Sequence, residues 1–596
     1  MPKTLTLITL CFAAGIAAAH VLFFCMHVAV PVWADAVLLA ASTLLAAGLY
    51  AAHRRIRHAP LFAPHTAFAV LLCMLSATLG FARYTAEARR VQLSWQQMAH
   101  PPVNRGNPDE MDYRAYRWTQ GVEPDATARS QRLRQAALGL RDRLLRRYAS
   151  AGLADDAYAL IAAMTLGDRS ALTPTVRDLY AEAGAAHLLA LSGMHLGIVV
   201  GMLLWLICGR LALSAWRLPA GALTIVLIWA YCLMAGLPPS LLRAAIMTSV
   251  AVAAAMLRRQ DTPSDTLVLT ALVMLAARPF ALIDVGAQLS FAAMAGILHL
   301  HPQVMAYAFR RWRTAMLWLA RKRLTAPLHL LSMSICAQLC TTPLVALYFH
   351  RIATYAPLFN LIYVPVTTML VYGAILVLLL SATVPAAAST VAAVLTWLIG
   401  FQMGMMRWEV SLPGAVVYDF WSARARPQLV VYNNRHCPAL HIIVAPSQSY
   451  LLLPRPDAAD SGLRRIRDSF WRRRLTAEPQ TVGRHYMAVG ACRVLMLDAP
   501  VSPHAAMELP RQEQQDVDIL WLTCDYDGYL TTLSAFVRPQ MVVADASLAP
   551  WVRRQVNEEC EALGWRHHDI MEQGALRMPL LPQHTHTASL QQQDAR

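Results

Sequence analysis

Long apolar runs, separated by polar and Arg-rich segments, set the pattern of the chain. "VLLAASTLLAAGLY", "HLGIVVGMLLWLICG" and "TMLVYGAILVLLL" show no alternation of apolar and polar positions, which argues against barrel strands. Their lengths approach the roughly 20 apolar residues that a helix needs to cross hydrocarbon about 30 Å thick. Backbone polar groups in lipid find partners only within helices or closed barrels. The pattern therefore predicts a polytopic α-helical membrane protein of about 10–11 spans.

Three spans are expected in residues 1–82, near 5–30, 34–52 and 62–82. The first run is too long for a signal-peptide core and is read as a span. Arg54, Arg55 and Arg57 crowd the short loop "HRRIRHAP" between the second and third, which places that loop in the cytoplasm and the following stretch, residues 83–150, in the periplasm. Within that stretch "AHPPVNRGNPDEMDY" reads as loop. Residues 132–148 then place Leu133, Ala137, Leu140, Leu144 and Tyr148 on one helical face, with Arg132, Arg134, Arg141, Arg143, Arg146 and Arg147 around the rest. Either an interfacial helix lying on the membrane or a helix packed on neighbouring protein satisfies this pattern.

Apolar runs return over residues 151–410, broken by "ALSGMHLG", "AGLPPSLLRA" and "AARPFALIDVG". Such breaks are tolerated at membrane depth only inside protein or against a water-filled cavity. From 421 to 582 the pattern changes to short β-rich runs, among them "PQLVVYNN", "CRVLMLDA" and "DVDILWLT", with helical segments between them. These predict a soluble α/β domain. Residues 583–596 read as a disordered tail.

Composition adds three points. Apolar residues make up 57% of the chain and charged residues 15%, against about 45–50% and 25% in soluble domains. The 52 Lys and Arg outnumber the 36 Asp and Glu for a net charge of +16, which suits a polyanionic partner, phospholipid or nucleic acid. The 11 cysteines, among them Cys11, Cys25, Cys73, Cys208, Cys232, Cys336 and Cys340 in apolar runs, form no CxxC pair. They read as small buried hydrophobes, with no metal or other cofactor expected.

Polar residues inside the broken spans are the candidate site. Ser192 and His195 are three apart, so on a helix they share a face. Gly193 and Gly197 are four apart, a spacing that lets another backbone approach. His195 either lines a wet cavity or bridges two helices. Arg243 follows a Pro-Pro turn in an apolar helix and needs a carboxylate or an anion. Pairing with Asp284 is one solution and contact with a phosphate the other. Asp284 and Gln288, four apart, are expected on one helical face.

Four blocks in this region are together similar to one family. They are "TLGDRSALTPTVRDLYAEAGAAHLLALSGMHLGIVVG", "AGLPPSLLRAAIM", "DVGAQLSFAAMAGIL" and "TTPLVALYFHRIATYAPLFNLIYVP". They carry Gly167, Asp168, Arg169, His187, Ser192, Gly193, His195, Gly197, Arg243, Asp284, Gln288, Ser290 and Asn360. In order and spacing they resemble the ComEC/Rec2 competence proteins, closely over about 155–380. The resemblance implies an inner-membrane channel for single-stranded transforming DNA, delivered by a periplasmic DNA receptor and pulled by a cytoplasmic helicase-type motor. No GxxxxGK[ST] motif is present, in keeping with a separate motor.

Family members commonly carry an OB-like domain near the start. The matching segment here, about 83–130, is short for a five-stranded barrel. Its Arg114, Arg117 and Trp118 offer a weak DNA grip, against the reading of a solvated basic loop. Many members end in a metallo-β-lactamase-like nuclease domain. Where the family has "LDVGQGDA" this chain has "VVYNNRHCPAL", and where "HHG" is expected it has "CDYDG" with Asp525 and Asp527. No HxHxDH run occurs. The C-terminal domain is therefore expected to be a degenerate version without metal ligands or hydrolytic activity, similar to variants in Bacteroidetes-type bacteria. The competing expectations are a membrane-tethered metal-dependent DNase, or a secondary transporter of a small anion, for which inverted repeats would be the sign.

Overall fold

The structure is a computed structural model describing residues 2–22, 37, 40, 64–98, 104–108, 113–120, 128–208, 217–256, 263–314, 325–418, 425–454, 463, 466–471, 474–483, 485–489, 492–500 and 514–580. The expected span at 34–52 apart from residues 37 and 40, the Arg-rich loop after it and the tail at 583–596 lie outside these residues. The chain divides into two compact units, residues 1–101 with 116–417, and residues 102–115 with 418–596.

The first unit is helical. Helices α1 (Pro2–His20) and α2 (Pro64–Gln96) pack along one another. A Cβ at Gly15 would collide with the Ala77 carbonyl oxygen, and one at Gly80 with that of Phe12. One glycine on each helix thus brings the backbones into contact, the usual device for close helix crossing in lipid. The Ser76 hydroxyl adds a 2.7 Å hydrogen bond to the Ile8 carbonyl. Helix α2 runs to Gln96, well past residue 82, because Arg83, Glu87 and Arg90 extend it with ion pairs one turn apart.

Helix α3 (Ala128–Ser150) leads to α4 (Asp155–Ile161), which widens through Ala162–Leu166 and stops at Gly167 in the left-handed region (φ 74°). Helix α5 (Pro174–Glu182) starts at Thr173, whose hydroxyl accepts from the Val176 amide, a standard N-cap followed by Pro. Then come α6 (Gly193–Cys208), α7 (Arg217–Met234), α8 (Pro239–Met256) and α9 (Pro263–Ala277). Helix α10 (Val285–Ala295) passes through a wide turn at Gly296–Leu300 into α11 (His301–Arg311). Last are α12 (Thr325–Phe349), α13 (Ala356–Ser381) and α14 (Pro385–Ser411). Helices α8, α12, α13 and α14 are long and apolar enough to cross a membrane. Pro343 and Pro365 lie inside α12 and α13.

The second unit is a sandwich. Its strands are β1 (Gln428–Val431), β2 (Leu440–Ala445), β3 (Gln448–Leu452), β4 (Gln480–Val482), β5 (Tyr486–Val489), β6 (Cys492–Leu497), β7 (Gln515–Leu522), β8 (Val537–Ala544), β9 (His567–Asp569) and β10 (Leu576–Pro579). One sheet runs β10-β1-β2-β3-β4 and the other β9-β8-β7-β6-β5. Alternation sorts the side chains. Leu429, Val431, Leu440 and Ile442 face Val494, Ile519, Trp521 and Val543 between the sheets. Val430, Tyr432 and Ile443 face outward onto Ile466, Phe470 and Trp471. Leu520, Leu522 and Val542 pack on Val552 and Val556 of helix α15 (Pro550–Leu563). This is the expected α/β class, with helical cover on both faces.

Residues 102–115 belong to this sandwich, so the stretch 83–150 is not one body. Asn107 and the Asn433 backbone exchange hydrogen bonds of 3.2 and 2.8 Å. The Gly106 carbonyl accepts from Arg577 at 2.8 Å, and Gly106 has φ 76°. Among the described residues of 83–130 there is no strand. The described residues of the expected OB-like region are helix and loop, α2 having taken those up to Gln96.

Candidate functional site

Ser192 was expected to share a helix face with His195. It instead precedes α6, where its carbonyl accepts from the Leu196 amide. Its hydroxyl lies 2.9 Å from His195 Nδ1, so the contact is a capping one. His195 is fully buried and its Nε2 has no partner. The glycine expectation is corrected too: a Cβ at Gly193 would just touch the Ala244 side chain, and one at Gly197 would meet nothing within 4 Å. Close backbone approach occurs instead at positions such as Gly15 and Gly80, each facing a carbonyl of the other helix.

Arg243, on α8, is 6% exposed, and its Nη1 lies 3.7 Å from Asp284 Oδ2. The ion pair open in the sequence is formed. Asp284 and Gln288 do not share a helix face, because Asp284 is the N-cap of α10, its Oδ2 accepting from the Ala287 amide at 2.8 Å. Gln288 donates Nε2 to the Leu282 carbonyl at 2.9 Å and leaves Oε1 without a partner. Arg243 Nε is unpartnered as well. Gly286, missed by sequence reasoning, makes room for the pair. A Cβ there would stand 3.3 Å from Asp284 Oδ2 and 3.8 Å from the guanidinium.

The other motif residues are dispersed. Gly167 ends the wide turn, with a Cβ position 3.1 Å from the Ala235 carbonyl oxygen. Asp168 caps the turn to Ser170 at 3.0 Å, and the Arg169 carbonyl accepts from Arg177. His187 is exposed on the helical turn Ala186–Leu189. Ser290 is half-buried on α10. Asn360 is half-buried on α13, with Oδ1 unpartnered.

Trp118 is not available to stack on a base. It is 6% exposed, donates to the Tyr84 hydroxyl at 3.2 Å and meets Trp95 edge-on at 5.2 Å. An indole flanked by apolar neighbours packs inward at little cost. Arg117 is exposed, and Arg114 is exposed in the other unit. In α3, Leu145 and Tyr148 enter the helical core while Leu140 stays 44% exposed. The C-terminal half of α3 is therefore packed on protein, and Arg143, Arg146 and Arg147 face outward.

Sequence reasoning also missed Tyr363 and Glu409. The Tyr363 hydroxyl donates to Glu409 Oε2 at 2.7 Å between α13 and α14, both side chains being buried. Further along the same two helices, Gln402 Nε2 reaches Thr367 Oγ1 at 3.3 Å. The available signal was that Glu409 is the one carboxylate between residues 356 and 411.

In the sandwich, a cavity of about 140 Å³ is lined by Arg435, His436, Cys437, Cys524, Asp525 and Ser547. It lies at the two stretches that stand in place of the family's metal motifs. Asp527 is exposed and does not line it. Among the described residues no three His, Cys, Asp or Glu side chains converge to hold a metal ion. The motif residues carry packing instead. Tyr432 receives Trp471 Nε1 at 3.0 Å and lies 2.7 Å from His441 Nδ1. Burial pushes His441 down to about 3. Asn433 also donates to the Ile570 carbonyl at 3.0 Å. Asp545 accepts from the Ser547 amide and hydroxyl, each at 2.8 Å, and from Trp521 Nε1 at 3.2 Å. Burial raises Asp545 to about 6, against these stabilising hydrogen bonds.

The competence protein family matches residues 164–432, which hold all four blocks and the Arg243–Asp284 pair, and the ComEC C-terminal domain family matches residues 429–580. The chain belongs to the ComEC/Rec2-type competence proteins. It is 28% identical over 283 residues to ComE operon protein 3 of Bacillus subtilis, covering 46% of this chain and 34% of that protein. It is 28% identical over 216 residues to competence protein ComA of Neisseria gonorrhoeae, covering 33% and 31%. The uncharacterized protein YcaI of Escherichia coli is 23% identical over 224 residues, covering 37% and 28%. The chain thus matches about a third of the length of these competence relatives. No solved structure matches.

Proposed function

We propose that this chain carries single-stranded DNA across the bacterial inner membrane during natural competence, as a multi-pass protein of about 10–11 spans. The observation that carries this reading is the set of buried polar groups in the broken spans, the Arg243–Asp284 pair first among them. The guanidinium pairs with Asp284 where α10 begins, yet Arg243 Nε, Gln288 Oε1 and His195 Nε2 keep unused hydrogen-bonding capacity. Such groups are costly among apolar helices and tend to face a wet pathway. A strand cannot shed its phosphate hydration into lipid, so a pore must offer water, cations or polar backbone. Family membership supports the same reading.

In this proposal the Arg-rich stretch after α2 is periplasmic and gathers DNA in a salt-dependent manner. A receptor delivers the strand and a cytoplasmic motor pulls it. The C-terminal sandwich does no hydrolysis, in keeping with Tyr432 and Asn433 packing where the family pattern has metal-motif residues. Deletion in a competent host tests the proposal. DNA should still become DNase-resistant in the periplasm and fail to reach the cytoplasm. Arg243→Gln should reproduce that block at normal protein level. Full transformation with a stable Arg243→Gln chain would overturn the role given to that pair, and strand cleavage by the purified chain with manganese would overturn the non-hydrolytic reading.

A further inference from the structure

Glu409 sits two residues before the end of α14 and is 2% exposed. Among the described residues its hydrogen-bond partner is one neutral hydroxyl, Tyr363, and no cation pairs with it. The negative end of its own helix dipole also opposes an anion at that position. An apolar side chain of similar volume would usually pack there at no loss of stability, so packing alone gives no reason for a carboxyl group.

A second oddity lies alongside. Helix α14 packs on α13, α5 and α4. On α5, Tyr180 is fully buried and its hydroxyl has no partner, an expensive state for a group that a Phe would avoid. Tyr180 and Tyr363 lie in the same buried core, and the helices of Tyr180 and Asp156 both pack on that of Glu409. Asp156 lies in the first turn of α4 and is half-buried. Four groups that bind or pass protons therefore lead inward from a partly exposed carboxylate to a buried carboxyl.

We infer that Glu409 is a proton-binding site, filled and emptied from the aqueous side at Asp156 through the hydroxyls of Tyr180 and Tyr363. In the inward step, through a water in each gap, the Asp156 carboxylic acid gives a proton toward the Tyr180 oxygen and Tyr180 passes its own toward Tyr363. Tyr363 passes its own to the Glu409 carboxylate. One proton moves, both tyrosines end neutral, and rotation of their hydroxyls resets the path. A single bridging water can stand in a gap between hydroxyls. The titratable groups facing Glu409 along this path are Tyr363 on α13, Tyr180 on α5 and Asp156 on α4, while Arg407 on α14 is exposed. The assignment does not depend on what the helices transport.

The test uses the full chain in lipid nanodiscs without DNA, with infrared spectra of the carboxylic-acid carbonyl stretch recorded after pH jumps. The unaltered chain should show a pH-dependent carboxyl band that shifts with isotopically labelled glutamate and is absent in Glu409→Gln. Tyr180→Phe should keep the equilibrium band and slow its relaxation by about a hundredfold, the usual worth of a positioned proton carrier. A labelled-glutamate band that Glu409→Gln leaves intact would overturn the site, and native relaxation in Tyr180→Phe would overturn the path. Should Glu409→Gln fail to fold, the labelled band of the unaltered chain and the Tyr180→Phe kinetics decide. Normal DNA import in a deletion strain, with the band of the purified chain unchanged, would count against the channel reading alone.

Discussion

Glu409 in the helical unit and Asp545 in the sandwich are both buried carboxyl groups, yet their surroundings differ. Asp545 accepts three hydrogen bonds and nearby Asp569 takes a two-pronged contact from Arg553 at 3.0 and 3.1 Å. Glu409 has one hydroxyl, and Arg243 one carboxylate at 3.7 Å. A buried charge that is fully ligated by its own fold specifies structure and has little left to offer a ligand. One that is ligated once keeps capacity for something that arrives later. The sandwich uses its buried charges as architecture, and the helical unit holds its own in reserve.

Removing the carboxyl groups breaks this comparison most sharply. Asp545→Ala strands the Trp521 and Ser547 donors and should cost about 4 kcal/mol. Asp284→Ala should cost only about 1–2 kcal/mol, because Asp284 is 25% exposed and the pair is long. Unfolding of the purified chain, followed by sandwich tryptophan fluorescence and helical circular dichroism, measures both. Equal losses would erase the distinction.

The pH dependence of the sandwich sharpens it next. Folded His441 stays neutral down to about 3, while the unfolded side chain binds a proton near 6.5. Its contribution is thus complete above pH 6.5 and lost as pH falls toward 3, by on the order of 5 kcal/mol. Asp545 acts the other way. Raised from 3.8 to about 6, its contribution is complete below 3.8 and lost as pH rises through 6, by roughly 3 kcal/mol. His441→Phe should flatten the acid limb and Asp545→Asn the other, as read from denaturation midpoints across pH.

The smallest effect is expected from a pair of glycines. Gly286→Ala crowds the Asp284–Arg243 pair and should cost about 1 kcal/mol. Gly197→Ala, with nothing within 4 Å of the new carbon, should be neutral or stabilise α6 by up to about 1 kcal/mol. Thermal unfolding of the two variants side by side reads the difference.

Much of the fold was legible because apolar run length and strand alternation are local properties of a sequence. The Arg243–Asp284 pair was legible for a related reason, since a cation in an apolar helix demands a partner. Less legible was anything set by chain entry and exit. Whether Ser192 and Asp284 lie on a helix or cap one depends on where the first turn begins, and spacing alone does not reveal that. Trp118 reads as surface until Tyr84 and Trp95, from a helix that runs to Gln96, well past the predicted span end at 82, arrive to cover it. Glu409 was visible as a lone carboxylate, but its pairing with Tyr363 depends on how α13 and α14 rotate against each other.

The clasp between Asn107 and Asn433 has a practical corollary. A separately expressed C-terminal domain that begins near residue 418 would lack the upstream strip closing its edge, leaving the Asn433 amide, the Arg577 guanidinium and the Ala575 amide without their acceptors. Such a fragment should be prone to aggregate, and fusing residues 102–115 ahead of it through a short linker is the way to recover a soluble, well-behaved domain.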